Sequence, residues 1–74
     1  MRTLNELKTG SCARVAAITA KGSIRRRLQD IGLIDGTCVK CIQRSFTGDP
    51  AAYLICDAVI ALRNEDAAKI LIES

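Results

Sequence analysis

The sequence predicts a small, mainly β domain with short helices, its strands curled into a barrel-like sheet. Three observations carry that expectation. Apolar residues alternate with period two in separate runs, at Ala13, Val15 and Ala17, at Val39 and Cys41, at Tyr53 and Ile55, and at Ile60 and Leu62. After the first run, Ile24, Leu28 and Ile31 form a stripe at helical spacing. Turn formers separate the segments at short intervals. A chain of 74 residues makes one domain, 1–74. It buries only about 60% of the surface its unfolded form exposes, and closing the sheet covers edge strands that so short a chain cannot otherwise protect.

The elements follow in order. Thr3-Leu4-Asn5-Glu6 has the pattern of a capping box, with hydroxyl and carboxylate satisfying reciprocal backbone donors at a helix start, and Leu4 and Leu7 share a face of the turn that Gly10 ends. A strand is expected next, Ala13, Val15 and Ala17 on one side and Cys12, Arg14 and Ala16 on the other. Lys21-Gly22 precedes the clearest helix, for which Ser23 is the expected N-cap. Gly32 closes that helix in the left-handed conformation, and Leu33 folds back on Leu28 as in a Schellman motif. Beyond the Asp35-Gly36 turn, 37–44 alternates as a strand with Val39 and Cys41 inward. Thr47-Gly48-Asp49-Pro50 reverses the chain, and Tyr53 and Ile55 then pair through an Asp57-Ala58 connection with Ile60 and Leu62 as a hairpin. Asn64 starts a short helix with Glu65 and Asp66 at its positive end, and Leu71 and Ile72 close the fold as a brief strand.

Composition narrows function. Hydrophobic residues make up 49% of the chain but are dispersed, no run approaches the roughly 20 apolar residues of a membrane span, and no signal-peptide hydrophobic region is present. A cytoplasmic protein without direct membrane insertion is expected, with its four cysteines as thiols. Catalysis finds little support: there is no histidine, no phosphate-cradling glycine loop leading to a lysine, and no convincing carboxylate pair. The expectation is a non-enzymatic binding module without a cofactor.

Two clusters call for weighing. Cys38-Val39-Lys40-Cys41 has the spacing of a zinc or redox pair, but on a strand residues three apart face opposite ways, so Cys41 belongs with Val39 and Cys38 with Lys40 outside. With no second pair at chelating spacing, core filling and surface thiols are the favoured roles, and no metal ligand is assigned. A cysteine-based metal carrier, with Cys12, Cys38 and Cys56 converging, is kept as an alternative. Arg25-Arg26-Arg27 supplies much of the net charge of +3. It reads first as a solvated helix face that Asp30 can pair with. Nucleic acid is disfavoured because Phe46 and Tyr53 are the only stacking residues.

Arg26-Arg27-Leu28, Ile31-Gly32-Leu33, Gly36, Gly48-Asp49-Pro50 and Ile60-Ala61-Leu62-Arg63, in this order and over essentially the whole chain, resemble the FeoA family of small proteins that accompany the bacterial ferrous iron transporter FeoB. The departures are modest: Asp35 and Phe46 stand where the family often has proline, and Asp57 where it usually has glycine. The resemblance implies an SH3-like small β-barrel with an inserted α-helix. It implies an accessory protein of ferrous iron uptake whose partner is the cytosolic GTP-binding domain of FeoB. Arg26, Arg27, Leu33, Ile34 and Arg63 are the candidate partner-binding residues, arginines with an apolar anchor being characteristic of interface centres. An arginine acting in trans on phosphoryl transfer requires more coincidences than docking does. The alternative from another class is the SH3-like regulatory module of iron-dependent repressors, which normally follows a DNA-binding region. Oligomeric state is left open, with a homo-oligomer among the options.

Overall fold

A computed structural model describes residues 2–73. Its order is β1 (Arg2–Thr3), a 3₁₀ turn (Leu4–Glu6), β2 (Cys12–Ile18), α1 (Gly22–Asp30), β3 (Cys38–Arg44), β4 (Ala51–Ile55), β5 (Ala58–Leu62), α2 (Asn64–Ala67) and β6 (Ile70–Glu73). The strands form one six-stranded sheet in the order β1-β6-β2-β3-β4-β5, every neighbouring pair antiparallel. The expected mainly β architecture, with a helix inserted between β2 and β3, is present. Its curl wraps a core in which Leu4, Val15, Leu28, Leu33, Val39, Cys41, Tyr53, Ile55, Ile70 and Ile72 are almost wholly buried. The sheet does not close on itself among the described residues: β1 pairs only with β6 and β5 only with β4, which leaves both with a free edge.

The capping box forms, with the Thr3 backbone N–H donating to the Glu6 carboxylate at 3.1 Å and the Thr3 hydroxyl donating to it at 2.9 Å. The C-terminal end of α1 is the Schellman arrangement expected: the Leu33 N–H reaches the Leu28 carbonyl at 3.1 Å and the Gly32 N–H that of Gln29 at 3.0 Å, with Gly32 at φ +107. Leu28 and Leu33 are both core residues.

Several local expectations are corrected. Ser23 lies inside α1 and its side chain makes no cap; the chain enters the helix through Gly22 at φ +65, a turn that brings β2 round into α1. Ala17 is exposed although Ala13 and Val15 point inward, because the β2–β6 register shifts between Val15 and Ala17, and a bulge of this kind breaks the period-two pattern. The hairpin loop is Cys56-Asp57, one residue earlier than expected. Ile55 pairs with Ala58, and the φ values of +50 and +67 are those of a two-residue turn matched to strand twist. Strand β1 was not expected, since two residues carry no periodicity; it is fixed by pairing with Leu71 and Ile72 of β6.

Candidate functional site

A groove of about 680 Å³ is bounded by α1, β5 and α2. Its apolar wall follows from the helix stripe. Leu28 is driven into the core, while Ile24 and Ile31, on the flanks of the same face, are only partly buried and line the groove with Ile60 of β5. The polar rim comes from Arg27 on α1, Arg63 where β5 gives way to α2, and Glu65, Asp66 and Lys69 beyond it.

Arg27 is anchored at this rim by an ion pair with Asp66, 3.4 Å, its own side chain 66% exposed and that of Asp66 15%. Arg63 is exposed, and its carbonyl accepts the Asp66 and Ala67 N–H groups at 3.0 Å, starting α2, so the guanidinium is carried on a fixed backbone. The Asn64 N–H donates to the Asp49 carboxylate at 2.9 Å, which ties this end of the groove to the β3–β4 loop.

The five residues expected to bind a partner divide accordingly. Arg27 and Arg63 meet on the groove. Arg26 is exposed on α1 and makes no hydrogen bond or ion pair among the described residues. Ile34 is 54% exposed but lines a separate shallow depression with Ala16, Ala17 and Gln29. Leu33 is fully buried, so it cannot serve as a surface anchor: its place in the Schellman turn folds it onto Leu28 and into the core. Ile24, Ile31, Ile60 and Lys69 were missed as site residues because, in sequence, the isoleucines belong to core stripes and Lys69 is a lone charge. The signal that could have found them is the flanking position of Ile24 and Ile31 on α1. Arg25 does not remain free on a solvated face; its guanidinium donates to the Ile18 carbonyl at 2.8 Å. Nor does Asp30 pair with the arginines of its own helix.

The cysteine spacing behaves as strand geometry requires. Cys41 is wholly buried and Cys38 exposed, so the two do not face one ligand. Cys12 and Cys38 border a common shallow depression with Arg14 and Glu73.

A family model described as "FeoA domain" matches residues 2–74. Among curated proteins, a Porphyromonas gingivalis protein described as an Fe(2+) transport protein A/Fe(2+) transporter FeoB fusion is 37% identical over 70 residues, 95% of this chain and 8% of that protein. The chain thus spans a small part of that relative. The FeoA protein of Chlorobium tepidum, solved by NMR, superposes with a TM-score of 0.88 at 33% identity, covering 95% of this chain and 67% of that one. FeoA of Stenotrophomonas maltophilia, a crystal structure with zinc described as a prokaryotic SH3 domain protein, gives 0.88 at 26% identity, covering 99% and 91%. A manganese-dependent transcriptional repressor shares the fold alone, at 23% identity, TM-score 0.87, over 99% of this chain and 41% of that one.

Proposed function

Starting from the fact that the chain belongs to the FeoA family, we propose that it is an accessory protein of ferrous iron uptake that docks on the cytosolic region of the FeoB transporter and acts by binding, with no reaction of its own. The observation that carries this reading is the Porphyromonas gingivalis relative, in which an A unit like this chain and a FeoB transporter are one polypeptide. Fusion holds two partners at high effective concentration, which is useful only where they work side by side.

On this chain the α1–β5–α2 groove is the docking surface. It offers an apolar floor at Ile24, Ile31 and Ile60 with a charged rim, the division of labour between desolvated anchors and polar periphery that stable interfaces use. Arg27, Arg63 and Lys69 give the rim its positive members, and an acidic or phosphate-bearing surface on the partner is their complement. No helix among the described residues is long and apolar enough to cross a membrane.

The test is capture of this chain by the immobilised cytosolic region of FeoB. Arg27→Glu and Arg63→Glu should each weaken capture by about tenfold or more, as like charges at a complementary interface do, while Ile34→Ser, on the separate depression, should not. Absence of capture by the unaltered chain at about 100 µM would overturn the reading, since even weak specific interfaces register there. A repressor module or a thiol-based metal carrier predicts that absence. Loss confined to Ile34→Ser would move the docking surface to the other face.

A further inference from the structure

The free edge of β5 forms one wall of the groove, so a strand pairing along it engages Ile60, Ala61, Leu62 and Arg63 and competes with the partner proposed above. Ala58-Val59-Ile60-Ala61-Leu62 contains no charge and no proline, Val59 is 64% exposed, and no strand pairs with its outer side among the described residues. Edge strands are ordinarily blunted by lysine, proline, a bulge or shortness; β1, the other edge, is two residues long, whereas β5 has five and a regular ladder to β4. Because a two-residue loop makes Ile55 and Ala58 a hydrogen-bonded pair, Ala58, Ile60 and Leu62 direct their backbone groups to β4. Val59 and Ala61 therefore present N–H and C=O groups outward.

The sequence around this edge complements itself. Antiparallel pairing of two β5 strands about a two-fold axis at Ile60 sets Val59 opposite Ala61 and Ala58 opposite Leu62, a large side chain facing a small one, with Ile60 opposite its own copy on the axis. The outward-facing Val59 and Ala61 become the hydrogen-bonded positions, as the backbone parity requires. Just beyond the strand, the same alignment brings Asp57, in the hairpin turn, close to Arg63 at both ends of the ladder. Both residues are exposed, and neither forms an ion pair within the chain among the described residues.

We infer that β5 is a self-association edge: a second copy of this chain adds its own β5 antiparallel, closing the free edge with Asp57–Arg63 ion pairs between copies. The interface is isologous, as a two-fold dimer demands, and small, so the association is weak and reversible.

Sedimentation velocity from about 10 µM to about 1 mM should show the mass moving from one chain toward two. Asp57→Arg and Arg63→Asp, each of which brings like charges close to one another twice per dimer, should raise the dissociation constant about tenfold. The double swap Asp57→Arg/Arg63→Asp should restore it to within about threefold, since it reinstates opposite charges in the same register. Val59→Pro removes an outward N–H without touching the β4 ladder and should abolish the dimer, with circular dichroism confirming the fold. A single-chain mass up to about 1 mM, a dimer indifferent to these variants, or pairing of β5 only with a strand of another protein would each overturn the inference.

Discussion

Gly32, just past the end of α1, packs on Cys56 of the β4–β5 hairpin: a Cβ on Gly32 would lie 2.8 Å from Cys56 Sγ and 3.2 Å from Ile55 Cγ2. Two requirements coincide there, a left-handed φ of +107 and the absence of a side chain. Gly32→Ala is therefore expected to cost about 2–5 kcal/mol, the sum of backbone strain and overpacking. In a Cys56→Ala background the sulfur contact is removed while the Ile55 Cγ2 contact stays, so the cost should fall by about 1 kcal/mol, with the backbone strain remaining. Urea unfolding of the four proteins measures this, and an equal loss in both backgrounds would show that the sulfur contact plays no part.

The two sides of that contact differ in how far they were legible. The Schellman turn could be read because each of its components, Leu28, Gly32 and Leu33, has its own local signature. The packing of Gly32 on Cys56 could not, since the residues are joined only through the tertiary fold. The same division runs through the site. Arg27 and Arg63 stood out by type, but their meeting on one groove depends on how α1 lies beside β5. Leu33 was misplaced to the surface because its cap role was legible and its burial was not. The bulge between Val15 and Ala17 hid the exposure of Ala17, as a register shift leaves no mark in a run of alanines.

Tyr53 should titrate well into the alkaline range. Burial disfavours its phenolate and raises its pKa above the ordinary 10.0, the nearby Arg44 opposing this only in part. A group whose folded pKa is raised contributes stability that is complete below the unfolded value and is lost as pH rises through the folded one. Stability should accordingly fall as pH climbs above about 10. Tyr53 is the one tyrosine and there is no tryptophan, so near-ultraviolet tyrosinate absorbance reports this residue alone. Tyr53→Phe should flatten that alkaline dependence at a cost below about 1 kcal/mol, because the bond from its hydroxyl to the Leu4 carbonyl is a long 3.5 Å. A tyrosinate midpoint at or below the free-tyrosine value would contradict the burial argument.

Arg44 holds the N-terminal turn to the end of β3. One guanidinium nitrogen donates to the Asn5 carbonyl at 2.8 Å and to the Leu7 carbonyl at 2.6 Å, across thirty-seven residues or more of chain. Arg44→Ala is expected to destabilise by about 1.5–3 kcal/mol, the range for hydrogen bonds to a charged group. Arg44→Lys should recover only part of this, since its ammonium reaches from a flexible stem rather than a planar fork. Faster amide exchange confined to residues around Leu4 and Leu7 would locate the effect, and unchanged exchange there would refute it.

The thiols should separate into two classes. Cys12, Cys38 and Cys56 are exposed, whereas Cys41 has no accessible surface and sits in the core beside Val39 and Tyr53. A thiol-specific reagent is expected to label the first three in the native protein and the fourth only on unfolding, because access limits a buried thiol. Cys38→Ser should change stability by no more than about 0.5 kcal/mol, and Cys41→Ser should cost about 1–3 kcal/mol by placing a hydroxyl in an apolar interior. Rapid native labelling of all four would rule out the inward placement of Cys41.

Arg27 and Asp66 provide a means of separating docking from folding. Their ion pair is largely open to water on the arginine side, and pairs of this kind contribute about 0–1 kcal/mol once solvent screening and side-chain entropy are counted. Arg27→Ala and Asp66→Ala should therefore have similarly small effects on stability. They should diverge in partner binding. If Arg27 served only to brace α2, removing either member would affect capture by the FeoB cytosolic region equally. If its guanidinium is what the partner meets, Arg27→Ala should weaken capture by about tenfold, while Asp66→Ala leaves an unpaired cation at the rim and should preserve or strengthen it. Equal losses in the two variants would reduce Arg27 to a brace and remove it from the docking surface.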